Sequence, residues 1–507
     1  MERVADAFLA VADRQPDETA LVHRGRRIGY GHLKQRVLEL AAALDALEPR
    51  APVALHATKT PGTVTAMLAA LVAGIPYVPV DPAIPAARRS HQLRDSGARV
   101  LLVDDEDGPP ARPPAVDPDC PVTVTPLSEL TVPAGGSTGG DFSNIANILY
   151  TSGSTGLPKG VLTTHENATT FLRWAQELID VGPRETVACY APLHFDMHVF
   201  DVFGTLSQGA TVLLLDDRTI LFPEAVCRTL REERATLMYA VPSAWIGLLR
   251  SAGLTDGGLP ELRTLMYSGE EFPVPRLREL AALLPRPRIV NIYGPVETNA
   301  VTALEVTSEH LALDRIPIGL PFGASKVFLV DAEGRPVVRP GAEGEIVVHT
   351  ATLCEGYLGD PERTAATRLA VQTDEGTYET YRTGDFGCWG EDGLLHFRGR
   401  RDGRIKTRGF RVEIGEVEAR IRAHPDVEDV VVATRPHPER THELVAFVTL
   451  SPGCGRTGAE VTAWCREFLA PYMVPRELRL LADMPRTGTG KADRVALARA
   501  ARTEENR

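Results

Sequence analysis

Residues 60–80 carry no charge, yet Gly74, Pro76 and Pro79 interrupt the run, so it is too broken to cross a membrane as one helix. Thr60 can cap a helix with Pro61 at its first position, and Gly74 can end it. Tyr77–Val80 then reads as a strand buried on both faces. An apolar helix feeding an apolar strand needs cover on every side, which points to an α/β architecture. A chain of 507 residues is long enough for about three folding units of that kind.

Further along, residues 324–397 change to short strands with glycine turns: KVFLV, GEIVVHT, YRTGD and LLHFRG. They read as a small β subdomain. Beyond GRRDGRIKTRG the mixed pattern returns, with a helix over 417–423, strands over 427–434 and 444–450, and a helix over 458–469. Residues 104–133 read as surface connection, and GGSTGG (135–140) as a tether that only imitates a phosphate cradle.

The net charge of −12 excludes a general nucleic-acid binder. Residues 403–507 nevertheless balance at +3 against −15 for the rest, which points to a second domain with an acidic partner. None of the seven cysteines forms a C-x-x-C pair, and Asp6 and Asp13 break the apolar stretch near the N-terminus. These features exclude a zinc site of that type, a disulfide scaffold and a secretory signal, leaving a cytoplasmic protein without membrane association as the expectation. Only six of the 55 cationic residues are lysines: Lys34, Lys59, Lys159, Lys326, Lys406 and Lys491.

The strongest chemical signal follows the strand-like stretch 145–150: TSGSTGLPKG, residues 151–160. Glycines let backbone N–H groups approach an anion, and alternating hydroxyls can wrap phosphate oxygens. It is not the G-x-x-x-x-G-K-[ST] loop of kinases and GTPases, because Gly160 follows Lys159.

With AGIPYVPVDP, HFDMHVFDVF, NIYGPVETN, GEIVVHTATLCEGYLGDP, YRTGD, GRRDGRIKTRGFRVEIGEVE, LAPYMVP and PRTGTGKADR in this order, the chain resembles the adenylate-forming superfamily. Within it, the series resembles the free-standing amino-acid adenylation enzymes of nonribosomal peptide synthesis. The resemblance implies a large N-terminal domain (1–401) of two mixed α/β sheet subdomains plus a small β subdomain. It also implies a small mobile α+β C-terminal domain (402–507) with a hinge at Asp402.

It further implies a reaction between ATP and a carboxylate, with Mg²⁺, giving an acyl adenylate and pyrophosphate. Ser152, Ser154, Thr155 and the catalytic Lys159 would hold the β and γ phosphates, with Thr151 also binding the nucleotide. Tyr293 would face the adenine, with Gly269, Asn291, Gly294 and Thr298 also binding the nucleotide, Asp385 and Arg400 the ribose, and Glu297 the metal. Lys491 would bridge the substrate carboxylate and the reacting phosphate. Asp196 would pair with the substrate's amino group, and Met197, Phe200, Ala244, Met266, Ser268, Ile292, Ala300 and Val301 would line the side-chain pocket. His194 would either gate the acceptor tunnel or simply pack, with packing the preferred reading. Because the lining is mostly apolar and bulky, a small neutral amino acid is expected, alanine first and glycine or serine next.

The second step implied is transfer to the phosphopantetheine thiol of an acidic carrier protein, with Gly409 and Phe410 turned towards the thiol tunnel. Only 16 residues follow Lys491 and none is serine, so a separate carrier is expected. The alternatives are an acyl- or aryl-CoA synthetase, a D-alanine–carrier ligase, a β-amino-acid-activating enzyme and a catalytically silent homologue serving as a binding module.

Overall fold

The computed structural model describes residues 3–46, 51–106, 108, 114–130, 142, 144–153, 157–250, 254, 258–284, 287–401, 404–407, 409–437, 441–451, 453–487 and 492–502. Ser154, Thr155, Asp402, Lys491 and the GGSTGG run lie outside the described residues.

The apolar run at 60–80 folds as its residues dictate. Helix Pro61–Ala73 starts with Thr60 Oγ1 accepting from Thr63 N and ends at Gly74, whose φ of +70° puts it in left-handed backbone. All residues from Pro61 to Leu71 are buried, and strand Tyr77–Val80 is buried throughout. That strand lies in a seven-stranded mixed sheet beside Val53–His56 and Ile145–Thr151.

A second, nine-stranded sheet runs through parallel strands Thr19–His23, Thr211–Leu214, Thr186–Cys189, Leu237–Ala240, Thr264–Ser268 and Arg288–Tyr293. Antiparallel strands close both of its edges. The principal core combines inward side chains of both sheets with helices Val4–Arg14, Tyr30–Asp45, Pro61–Ala73 and His165–Ile179. The expected β subdomain is a five-stranded antiparallel sheet containing Lys326–Val330, Gly344–His349, Gly376–Trp389 and Leu395–Arg400. The fold is α/β, with two large mixed sheets and this smaller β unit.

The C-terminal part has a hairpin (Arg404–Thr407 with Phe410–Glu413), helices Ile414–Arg422 and Gly458–Phe468, and a three-stranded sheet. It shares one continuous buried cluster with the seven-stranded sheet: Ala54, Val78 and Val80 on one side, Val412, Val417 and Val430 on the other. Across the same seam, Arg88 of helix Ala86–Ser96 pairs with Glu416. Both side chains are buried, and a buried charge held by a single partner makes such a seam sensitive to either residue. Among the described residues no helix is long and apolar enough to cross a membrane.

Candidate active site

The main cavity opens at the carboxyl ends of parallel strands Leu237–Ala240, Thr264–Ser268 and Arg288–Tyr293, where an open α/β sheet ordinarily receives its ligand. Of the residues expected at the site, Thr151, Ser152, Asp196, Met197, Ser268, Gly269, Ile292, Gly294, Asp385 and Arg400 line it. Gly294 is required by the turn that follows its strand: a Cβ there would stand 2.0 Å from the Asn299 carbonyl oxygen.

On one flank, Asp385 and Arg400 face each other in register on antiparallel strands and form an ion pair. Asp385 Oδ2 also accepts from Tyr293 Oη at 2.6 Å, and Arg400 donates to the Thr383 carbonyl at 3.0 Å. The carboxylate is therefore fixed before any ligand arrives. Asn291 donates to the Pro317 carbonyl and Thr298 to the Pro295 carbonyl, so these two side chains brace the turn itself.

Below the cavity is a corner of compensated charge. Glu297 is fully buried. Its oxygens accept from Tyr357 Oη at 2.8 Å and from Arg411 Nη1 at 3.2 and 3.3 Å, while Lys159 Nζ stands 3.8 Å away. Lys159, in register with Thr151 on the adjoining strand, also sits 4.2 Å over the Tyr357 ring. Burial alone would raise the Glu297 carboxyl, but the Arg411 guanidinium and then Lys159 outweigh it and hold the group at about 2. Arg411 Nε and Nη2 and Thr151 Oγ1 are buried and have no hydrogen-bond partner among the described residues. These spare donors are what an anionic ligand such as a phosphate would satisfy.

At the other end, Asp196 follows strand Thr186–Cys189 and precedes the wide turn Val199–Gly204. Its carboxylate opens on the cavity, and no ion pair to it is described. Burial pushes it up to about 6, with Lys406 as the cation that opposes the shift most. Met197, Tyr239, Ser268 and Ile292 share this end. Phe200 and Met266 are buried behind it, Phe200 edge-on to Tyr239 and Met266 beside Tyr239 in register on the next strand. Ala300 and Val301 are buried in the strand connection. Ala244 lies in helix Pro242–Leu249, whose first turn aims it into an adjoining apolar hollow with Tyr190, Ile220 and Ile246. The chain just before it, Tyr239 and Val241, occupies the wall of the main cavity instead.

The C-terminal part closes the cavity with Ile405, Lys406, Gly409, Phe410 and Arg411. Gly409 has φ +80°, donates to Glu270 Oε1 at 2.8 Å, and would strike Val241 at 2.6 Å if it carried a Cβ. Phe410 stacks on Tyr472 at 3.7 Å and stands edge-on to Phe195 at 4.7 Å, while His194 packs against both phenylalanines. Burial lowers the His194 pKa, which fits a neutral packing ring. Phe195, Met197, Val241 and Phe410 line both the main cavity and the adjoining hollow, so the two spaces meet there.

A family model described as "AMP-binding enzyme" matches residues 8–358, and its companion, "AMP-binding enzyme C-terminal domain", matches 416–491. The chain belongs to the AMP-binding enzyme family. It is 35% identical to an L-proline–[L-prolyl-carrier protein] ligase of Streptomyces coelicolor, over 95% of this chain and 94% of that one. A ligase of the same name from Pseudomonas fluorescens is 34% identical, over 96% and 97%. Phosphinothricin tripeptide synthetase PhsB of Streptomyces viridochromogenes is 36% identical over 98% of this chain, which spans only 42% of PhsB. Among solved structures, a nonribosomal peptide synthetase protein containing adenylation and PCP domains, bound to a vinylsulfonamide inhibitor, superposes with a TM-score of 0.84. That protein is 27% identical, over 98% of this chain and 84% of the other. This family's members are ligases that form adenylates and use ATP and Mg²⁺.

The residues present fit that chemistry. Glu297 is a hard, ionised oxygen donor beside Lys159, and Mg²⁺ is commonly held by one or two carboxylates together with substrate phosphates. Among the described residues there is no cluster of three or more acidic, His or Cys side chains, so phosphate oxygens and water would complete the shell.

Four contributors escaped the sequence reading: Lys406, Arg411, Tyr357 and Tyr239. Lys406, Arg411 and Tyr357 lie inside recognised motifs without an assigned task. Tyr239 sits in an unremarkable apolar strand and gave no signal.

Proposed function

We propose that this ligase activates an amino acid as its adenylate and transfers it to the phosphopantetheine thiol of a carrier protein. The observation that carries the reading is Asp196: a recessed, ionisable carboxylate without a described ion-pair partner, beside the apolar Met197 and Ile292 in the main cavity. A substrate ammonium would compensate it, whereas a fatty or aryl acid would leave it a desolvated burden. The carrier-ligase relatives support the same reading at nearly full length.

In the first half-reaction the ammonium sits on Asp196, the ribose hydroxyls on Asp385, and the phosphates on the loop from Thr151 to Lys159. Lys491 bridges the substrate carboxylate and the α-phosphate. Mg²⁺ bound at Glu297 would screen phosphate charge. In the second half-reaction the C-terminal unit, pivoting near Asp402, presents Gly409 and Phe410, and the arm enters through the hollow beside them. Their place on the cavity wall supports reading the present arrangement as the loading stage.

Met197, Phe200, Tyr239 and Met266 fill the space around Asp196 and favour a small neutral side chain, alanine first and glycine or serine next. Proline is the second reading, favoured by the two proline ligases among the relatives. Pyrophosphate exchange over a panel of L-, D- and β-amino acids, proline, and fatty and aryl acids tests both, followed by thioester formation on a phosphopantetheinylated carrier. Exchange should peak with alanine. A maximum with a fatty or aryl acid would overturn the reading, and exchange with none of the panel would favour the silent homologue.

A further inference from the structure

Asp196 opens on the cavity, but the peptide just before it is held from behind by His198, Tyr77 and Asn147, all buried and lining neither the cavity nor the adjoining hollow. His198 Nδ1 donates to the Phe195 carbonyl, which also accepts from His198 N at 3.2 Å. A carbonyl can only accept, so the imidazole proton sits on Nδ1 and Nε2 must accept. Tyr77 Oη meets that demand, donating to Nε2 at 2.5 Å, and itself accepts from Asn147 Nδ2 at 3.4 Å. Tyr77 and Asn147 are register partners on parallel strands of the seven-stranded sheet, whereas the chain at Phe195 follows strand Thr186–Cys189 of the nine-stranded one. The donors therefore run in one direction from sheet to sheet. Phe203 stands edge-on to both rings, with centroids 6.1 Å from Tyr77 and 5.6 Å from His198, which keeps either ring from swinging. Burial lowers the imidazole to about 4, so it stays neutral and keeps this tautomer at ordinary pH.

A peptide unit is planar, so fixing the Phe195 carbonyl also fixes the direction in which the chain enters Asp196. We propose that His198, set in one tautomer by Tyr77, is the positioning residue that aims the Asp196 carboxylate at the substrate ammonium. This rests on the amino-acid reading above and goes further, because it assigns the accuracy of the anchor to an imidazole that never touches the substrate. Without that imidazole the Phe195 carbonyl keeps only its backbone bond, and the peptide can tilt.

The test is pyrophosphate exchange by the full-length enzyme with alanine, or with proline should that prove the substrate. For His198→Ala the amino-acid KM should rise about tenfold or more, the effect of one buried hydrogen-bonding group left unmet, while kcat and the KM for ATP change little. His198→Asn, whose side-chain amide can donate to the Phe195 carbonyl in place of Nδ1, should recover most of that loss. Tyr77→Phe, which keeps the ring and removes only the hydroxyl, should raise the same KM about threefold. In an Asp196→Asn background His198→Ala should change kcat/KM by less than about threefold, because the carboxylate it would aim is gone. A residue that only supports the fold would instead lower kcat and the melting temperature at an unchanged KM, and would do so equally in the Asp196→Asn background. That pattern, or a parental KM in both His198→Ala and Tyr77→Phe, overturns this inference alone. Should His198→Ala fail to fold by thermal melting, Tyr77→Phe alone and combined with Asp196→Asn carries the same comparison. A parent inactive with every amino acid overturns the functional reading and this inference with it.

Discussion

The two ends of the cavity treat charge in opposite ways. At Glu297 the protein supplies its own counter-ions, Arg411 and Lys159, and a phenol besides, so the carboxylate is ionised at any ordinary pH. At Asp196 it supplies none in direct contact, and burial raises the group to about 6. The first corner is built to be stable while empty, and the second to gain from a ligand. Ligand binding improves most where the empty site is least compensated, and on the proposed reading that puts selectivity for an ammonium at Asp196 and charge management for phosphate at Glu297.

The largest expected effects strike the ligand-dependent end. Asp196→Asn removes one partner of the ammonium pair, a loss of about 3–5 kcal/mol, and should lower kcat/KM for the amino acid by 10²-fold or more. Unchanged selectivity between alanine and propionate in that variant would break the contrast. Comparable in size is Lys491→Ala, expected to slow adenylation by roughly 10²- to 10³-fold, as for loss of a preorganised donor to developing negative charge. Near-normal exchange there would remove Lys491 from the reaction.

Next comes the compensated corner. Arg411→Gln takes away the strongest counter-ion of Glu297, and because Arg411 belongs to the C-terminal part, the loss should fall on the docked arrangement. Single-turnover loading of a carrier should slow at least about tenfold, equivalent to some 1.4 kcal/mol, with pyrophosphate exchange affected less. Equal slowing of both half-reactions would count against a stage-specific role. Asp402→Pro, which fixes φ at the expected pivot, should shift the same ratio in the same direction but more weakly.

The smallest effect is a matter of acidity. An ammonium binds the ionised form of Asp196, and burial has raised that group in the ligand-free protein. Affinity should therefore be flat above pH 6 and fall below it, approaching about tenfold per unit well below that point. The amino-acid KM measured from pH 5 to 8 shows this directly. A KM that is level down to pH 5 would mean the carboxylate is already compensated.

How much of this could be read beforehand depends on the range of the interactions. The helix Pro61–Ala73 was legible to the residue because Thr60, Pro61 and Gly74 act on their own neighbours. Most strands of the β subdomain were also visible, since glycine turns punctuate them, but Arg368–Thr373 was missed and YRTGD is only the middle of Gly376–Trp389. Asp196, Glu297 and Asp385 were identifiable through motifs whose order is itself the signal. What could not be read were side chains whose task is set by distant partners. Arg411 meets Glu297 across 114 positions, and Tyr239 meets Ser268 across 29. Nothing local distinguishes a tyrosine that walls a pocket from one that fills a core. Ala244 shows the same limit: its number is close to the pocket, but one turn of helix points it next door.

Ser152, a cavity-wall hydroxyl proposed to hold phosphate, donates to the Arg411 carbonyl at 2.7 Å. The C-terminal hairpin thus acts as a stopper, using hydrogen-bonding capacity that an incoming triphosphate would claim. Nucleotide entry and the docked posture must then compete, so raising ATP concentration should by itself loosen the seam held by Arg88 and Glu416, with no signal needed from the amino acid.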